Sequence, residues 1–158
     1  METTHKILFV CHGNICRSPM AEYVMKALVK EAGMAERFVI ASAATSIEEV
    51  GNPVHGGTQA KLRQEGIPCP QRRAVRLHAR DLEDWDWLLG MDSRSIINMR
   101  QILGLREGDP GWEKVRRLLD FTPHPRDIAD PWYTGDFDAA FEDVMEGCRA
   151  LFKHILQK

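Results

Sequence analysis

Cysteine is scarce in this chain: Cys11, Cys16, Cys69 and Cys148 are the only four among 158 residues. They are too few and too scattered for a disulfide framework, and in a reducing compartment such residues serve as reactive thiols or core filler. An excess of either charge is also lacking. With 21 Lys and Arg against 23 Asp and Glu, the formal charge is −2, so no broad basic surface is available for a nucleic-acid backbone. No apolar run approaches the length of a membrane span, and the start Met1-Glu2-Thr3-Thr4-His5-Lys6 has neither the basic segment nor the apolar stretch of a signal peptide. The expectation is a cytoplasmic protein with no membrane and no nucleic-acid partner. Repeats, low-complexity tracts and linkers are missing too, so residues 1–158 are expected to form one domain, long enough to bury a core without metal or disulfide staples.

What is present alternates in period. Lys6-Ile7-Leu8-Phe9-Val10 is a continuous apolar run of strand formers, the pattern of a strand buried in a parallel sheet. A helix follows, with Ser18 expected as its cap, Pro19 in its first turn, and Met20, Ala21, Val24, Met25, Leu28 and Val29 at helical spacing before Gly33. Phe38 to Ala43 reads as a second strand, Thr58 to Glu65 as a helix, and Trp85 to Gly90 as a third strand. Met91-Asp92-Ser93 then caps a helix through Ile102, and Val115 to Leu119 offers a fourth strand. From Asp136 to Gln157, Phe137, Phe141, Val144, Cys148, Leu151 and Ile155 mark an amphipathic helix. Strands alternating with helices predict one open α/β sheet.

The chemistry concentrates in Cys11-His12-Gly13-Asn14-Ile15-Cys16-Arg17-Ser18, at the carboxyl end of the first strand, where open α/β sheets bind ligands. Backbone N–H groups of such a turn and the helix N-terminus behind it suit an anion, and Gly13 and Asn14 tolerate left-handed backbone. The same field favours the thiolate of Cys11, the nucleophilic form. Arg17 offers a planar fork for two phosphate oxygens, which a lysine would meet only as a point charge. Ser18 is placed to donate its hydroxyl to the sulfur. A Cys and an Arg six positions apart mean little alone; the strand before, the Gly-Asn within and the Ser-Pro after give the spacing its weight.

The stretch from Ile7 to Glu22, with C-H-G-N-I-C-R-S followed by P-M-A-E, resembles the active-site segment of the low-molecular-weight protein tyrosine phosphatases. Ser42-Ala43-Ala44-Thr45, Gly51-Asn52-Pro53, Gly66-Ile67-Pro68, Met91-Asp92 and Asp130-Pro131-Trp132-Tyr133 extend the resemblance across nearly the whole chain. It implies a four-stranded parallel sheet flanked by helices and a two-step hydrolysis of phosphotyrosine. In that reaction Cys11 attacks phosphorus, and Asp130 serves first as acid and then as base. Residues 12–18 would hold the phosphate, and Trp132 and Tyr133 would wall a slot for the ring; relatives usually carry Tyr where Trp132 stands. Cys16 would form a disulfide with the nucleophile under peroxide. Relatives place a supporting histidine near Arg72, so that role is not carried over. No metal or cofactor is implied. The partner expected is a phosphotyrosine protein, with a cognate tyrosine kinase as one possible partner, and the chain would be a monomer or weak dimer.

Competing readings share parts of this pattern. Protein arginine phosphatases resemble the chain but tend to carry Thr at the position of Ile15, so Ile15 argues for tyrosine. Arsenate reductases of the same fold need a cysteine pair midway along the chain, where only Cys69 lies. A non-catalytic phosphate-binding module is the alternative of a different class. Zinc held by Cys11, His12, Cys16 and His5 lacks a second close pair, and Gly57 stands where a nucleotide-binding loop has its lysine. His12 is expected to be exposed near the pocket entrance, and Glu48 and Glu49 to favour basic flanking residues in a substrate.

Overall fold

The first apolar run becomes the strand about which the rest of the molecule is arranged. The computed structural model describes residues 3–157. In chain order the elements are β1 (His5–Cys11), α1 (Arg17–Glu31), β2 (Phe38–Ala44), α2 (Gly56–Gln64), α3 (Asp81–Asp84) and β3 (Trp87–Gly90). They are followed by α4 (Ser93–Leu103), β4 (Val115–Arg117), α5 (Pro131–Thr134) and α6 (Phe137–Leu156). The strands form one open sheet in the order β2-β1-β3-β4, every pair parallel.

Every side chain from Ile7 to Cys11 is buried, which a strand achieves only when both faces of its sheet are covered. Alternation divides the run. Ile7 and Phe9 join a cluster with Met20 and Val24 of α1 and Val144, Cys148 and Leu151 of α6. Leu8 and Val10 face the other way, onto Ile96, Met99 and Leu103 of α4. Burial of each of these strand side chains stabilises the fold by about 1.5–3 kcal/mol. On the α6 side the packing is close: a Cβ at Gly147 would stand 2.5 Å from Cγ of Leu118, so only glycine lets the helix approach.

Several boundaries differ from the sequence expectation by one or two residues, and three of them have a visible cause. β3 starts at Trp87, because the preceding residues form the single turn α3, and Trp85 closes it with Nε1 donating to Asp81 at 3.2 Å. β4 stops at Arg117. Leu118 and Leu119, expected to extend it, lie in a 3-10 turn whose start is fixed by Asp120 accepting from the Arg117 N–H at 3.0 Å. Both leucines are fully buried in the α6 layer, so their apolar character reports burial and not strand. The third concerns α1, which begins at Arg17 with Cys16 in the cap position and no side-chain cap; Ser18 lies inside the first turn.

The register places Cys11 beside Ala44 and Val10 beside Gly90, so β1, β2 and β3 end along one edge. The turn after β1, the segment after β2 and the cap of α4 therefore meet there.

Candidate active site

Cys11 is the last residue of β1 and is 3% exposed. Its Sγ lies 3.0 Å from Ser18 Oγ, and the Asn14 N–H donates to it at 3.3 Å. The direction of the first contact follows from its neighbours. Ser18 Oγ already accepts from Asn14 Nδ2 at 2.8 Å, which leaves the hydroxyl proton to point at the sulfur. Relieved of capping, Ser18 serves the sulfur instead.

Asn14 is the only non-glycine residue with positive φ among the described residues, at 58°. Gly13, expected to share that conformation, does not; a Cβ there would meet Cγ of Glu49 at 3.4 Å, an ordinary contact. The left-handed turn sends the Asn14 side chain beneath the loop, fully buried. Its Nδ2 donates to Ser18 and, at 2.9 Å, to Ser42; its Oδ1 accepts from Arg72 Nη2 at 2.6 Å and the Val75 N–H at 3.1 Å. Every hydrogen-bonding site of the amide is used. Ser42 Oγ donates a hydrogen bond to Glu22 at 2.5 Å, Lys26 donates to the other Glu22 oxygen at 2.7 Å, and Arg72 also donates to the Asn14 carbonyl at 3.2 Å.

Arg17, also 3% exposed, is held from the far side. Nη1 donates to Asp92 Oδ2 at 2.6 Å and to the Ile128 carbonyl at 2.8 Å, and Nη2 to Asp130 Oδ2 at 3.4 Å. Burial opposes its charge, but Cys11, Asp92 and Asp130 outweigh it and push Arg17 further up. Asp92 caps α4 through Ser95 at 2.7 Å. Burial disfavours its charge too, yet the Arg17 guanidinium and the Ser95 N–H prevail and hold the carboxyl below the usual carboxylate range.

Asp130 caps α5 by accepting from the Trp132 N–H at 3.0 Å, so the Asp-Pro-aromatic segment forms one rigid turn over the loop. Trp132 and Tyr133 are both exposed, and the Trp132 ring stands edge-on to His55 at 5.5 Å. His55 ties this wall to the loop. Its N–H donates to the Ile15 carbonyl at 2.8 Å, and its ring stacks on Phe137. The Ile15 side chain packs with Cys16, Ala74 and Phe137. Burial raises the Cys16 thiol to about 12, helped by the charges of Cys11 and Asp130, so at neutral pH it remains protonated.

These groups enclose a cleft of about 100 Å³ lined by Cys11, Arg17, Asp130, Trp132 and Tyr133, with Glu48 and Glu49 on its rim. His12, Gly13, Ile15 and Cys16 line it as well, whereas Asn14 and Ser18 lie beneath, so the expected residues divide into a lining and a support. His12 is half exposed and lies 3.4 Å from Glu48. The N–H groups of Gly13, Ile15 and Cys16 have no acceptor among the described residues, so the turn presents donors for an anion. The zinc grouping is not assembled: His5 begins β1 and Cys11 ends it, a separation of about 20 Å for six residues of strand.

Four supporting residues were not read from the sequence. Asp92 appeared only as a helix cap, although its place at the carboxyl end of β3 was a usable signal. Glu22, Ser42 and Arg72 carry no local signal of a shared role; Arg72, for which the sequence implied no supporting role, donates directly to the loop at Asn14.

Fold and turn together define a class, the open parallel α/β proteins with an anion-accepting turn where the central strand ends. Comparison with known proteins carries the assignment further. The family model "Low molecular weight phosphotyrosine protein phosphatase" matches residues 6–158. The low molecular weight protein-tyrosine-phosphatase YfkJ of Bacillus subtilis is 36% identical over 151 residues, covering 94% of each chain. PtpA of Staphylococcus epidermidis is 34% identical over 152 residues, covering 96% of this chain and 94% of that one. The crystal structure of YfkJ superposes with a TM-score of 0.90 at 35% identity, over 98% of this chain and 96% of the other. The chain belongs to the low molecular weight phosphotyrosine protein phosphatase family. No helix among the described residues is long and apolar enough to cross a membrane.

Proposed function

We propose that this protein hydrolyses phosphotyrosine in protein substrates through a phosphocysteine at Cys11. The observation that carries this reading is the setting of one sulfur: it receives two hydrogen bonds at the floor of a cleft that also contains Arg17 and Asp130. The Asn14 N–H and the Ser18 hydroxyl spread the charge of an attacking thiolate, and the buried guanidinium balances it. Sγ attacks phosphorus in line with the aryl oxygen; the P–O bond breaks, and Asp130 gives its proton to the leaving phenolate. Now deprotonated, Asp130 takes a proton from the water that attacks the phosphocysteine, releasing phosphate and the thiolate. Residues 12–18 form the turn around the transferring group, with Arg17 donating to two of its oxygens while Nη1 stays on Asp92 and the Ile128 carbonyl. Trp132, held by His55, and Tyr133 bracket the ring.

Ile15 supports tyrosine over phosphoarginine, since its side chain offers the cleft no polar group. Peroxide is expected to take two electrons from Cys11 and Cys16 and leave a disulfide that thiols reverse, so Cys16→Ser should be lost irreversibly more readily. The same reading places the protein in the cytoplasm as a monomer or weak dimer without a cofactor, with a cognate tyrosine kinase as one possible partner. The test compares phosphotyrosine, phosphoarginine and phosphoserine peptides with wild type, Cys11→Ser and Asp130→Ala, chelator present. Phosphotyrosine turnover abolished by Cys11→Ser and slowed about 10²–10⁴-fold by Asp130→Ala is expected. Dependence on added metal refutes the mechanism, preference for phosphoarginine changes the substrate, and phosphate binding without turnover leaves only a binding module.

A further inference from the structure

Because β1 lies between β2 and β3 and all three end at one edge, the segment after β2 and the helix after β3 rise on opposite sides of Cys11. Their charges are opposite as well. Glu48 and Glu49 belong to the first side, Arg94 to the second. A second cavity, of about 480 Å³, opens toward α4 and shares His12, Arg17, Asp130 and Tyr133 with the cleft, so the two form one groove. Its far end is built by Arg94 and Asn98, one turn apart on the same helix face.

Arg94 is exposed, and neither its side chain nor that of Asn98 has an ion pair or hydrogen bond among the described residues. The carboxylates in this cavity, Asp92 and Asp130, are both engaged by Arg17, at 2.6 and 3.4 Å. Arg94 is therefore the uncommitted cation of the groove, paired with an amide that can donate beside it.

Resting on the phosphotyrosine reading above, we propose that Arg94 and Asn98 form a subsite for a carboxylate of the protein substrate, an Asp or Glu on one flank of the phosphotyrosine. The peptide then lies across Tyr133 with its acidic flank over α4 and its other flank toward Glu48 and Glu49. The polarity of the groove thus selects the direction in which the substrate binds.

A phosphotyrosine peptide series carrying a single Asp, Ala or Lys at each position from three before to three after the phosphotyrosine tests this. The readout is kcat/KM of each peptide relative to its Ala counterpart. On one flank only, Asp should exceed Ala by about two- to fivefold, the value of an exposed ion pair, and Lys should fall below it. Arg94→Gln should bring the ratio to about one, Arg94→Glu should invert it, and Arg94→Lys should keep part of it. The preference should also shrink as added salt shortens the screening length from about 10 Å to about 3 Å. A preference that survives Arg94→Glu, or no flank with any preference, overturns the subsite. A wild type inert toward every phosphotyrosine peptide and toward a small aryl phosphate refutes the parent reaction, and the subsite with it.

Discussion

Asn14 performs two jobs that substitution can separate. Its backbone adopts φ 58°, and its amide makes four hydrogen bonds that join the loop to Ser18, Ser42, Arg72 and Val75. Asn14→Gly removes the amide and keeps the conformation accessible; Asn14→Ala removes the amide and adds the steric cost of a left-handed Cβ, about 1–2 kcal/mol. Three neutral bonds at about 1 kcal/mol each and one from a guanidinium at about 1.5–3 give about 6 kcal/mol as an upper figure. Arg72 keeps the Asn14 carbonyl and lies 3.8 Å from Glu22, so part of that is retained, and about 3–4 kcal/mol is expected for Asn14→Gly. With a urea slope of about 2 kcal/mol/M, its midpoint should fall by about 1.5–2 M, and that of Asn14→Ala by about 0.5–1 M more. Ser18 loses the donor that orients its hydroxyl toward Cys11, so kcat should fall more than KM rises in both variants. Equal midpoints for the two variants would refute the backbone argument, and wild-type kcat in Asn14→Gly would refute the claim that the network positions the sulfur.

Two further outcomes follow from the electrostatics. The Asp92 carboxyl is held below its unfolded value of about 3.9, so its contribution to stability is present above that pH and lost as pH falls through the folded value; Asp92→Asn should flatten this acid limb in urea titrations and lower kcat by loosening Arg17. An unchanged acid limb would show that the Arg17 pair does not perturb Asp92. Cys16 has the opposite sign: burial raises it from 9.0 to about 12, so its stabilising effect is complete below about pH 9 and declines as pH rises toward 12. Iodoacetamide at neutral pH should therefore spare Cys16, and Cys16→Ala should lose stability less steeply above pH 9; ready alkylation of Cys16 in the folded protein at neutral pH would contradict a thiol held protonated.

Along the chain, the contiguous features were legible because they depend on neighbours only. A continuous apolar run, a Gly-Asn turn and a helical repeat fixed the order of β1, loop and α1 before any tertiary contact, and with them the cysteine and the arginine six residues on. The period-2 and period-3.6 patterns also settled the parallel α/β class, since a strand buried on both faces and helices between strands admit few other arrangements. Asp130 entered through the family resemblance; its residue type and the proline after it would equally describe a turn.

Tertiary structure decided which side chains face the loop. Asp92 reaches Arg17, and Ser42 and Arg72 reach Asn14 with Glu22 behind them, only once the ends of three parallel strands lie side by side, and no periodicity within one segment encodes that registration. It also decided that Ser18 serves the sulfur and not the helix terminus, that Leu118 and Leu119 turn into the α6 layer, and that Arg94 faces the groove opposite Glu48 and Glu49. Local propensity sets which conformations a segment can adopt, whereas the direction of a buried polar side chain is set by the partner that satisfies it, and for this site the partners outside the loop and its helix start lie 20 to 113 residues away.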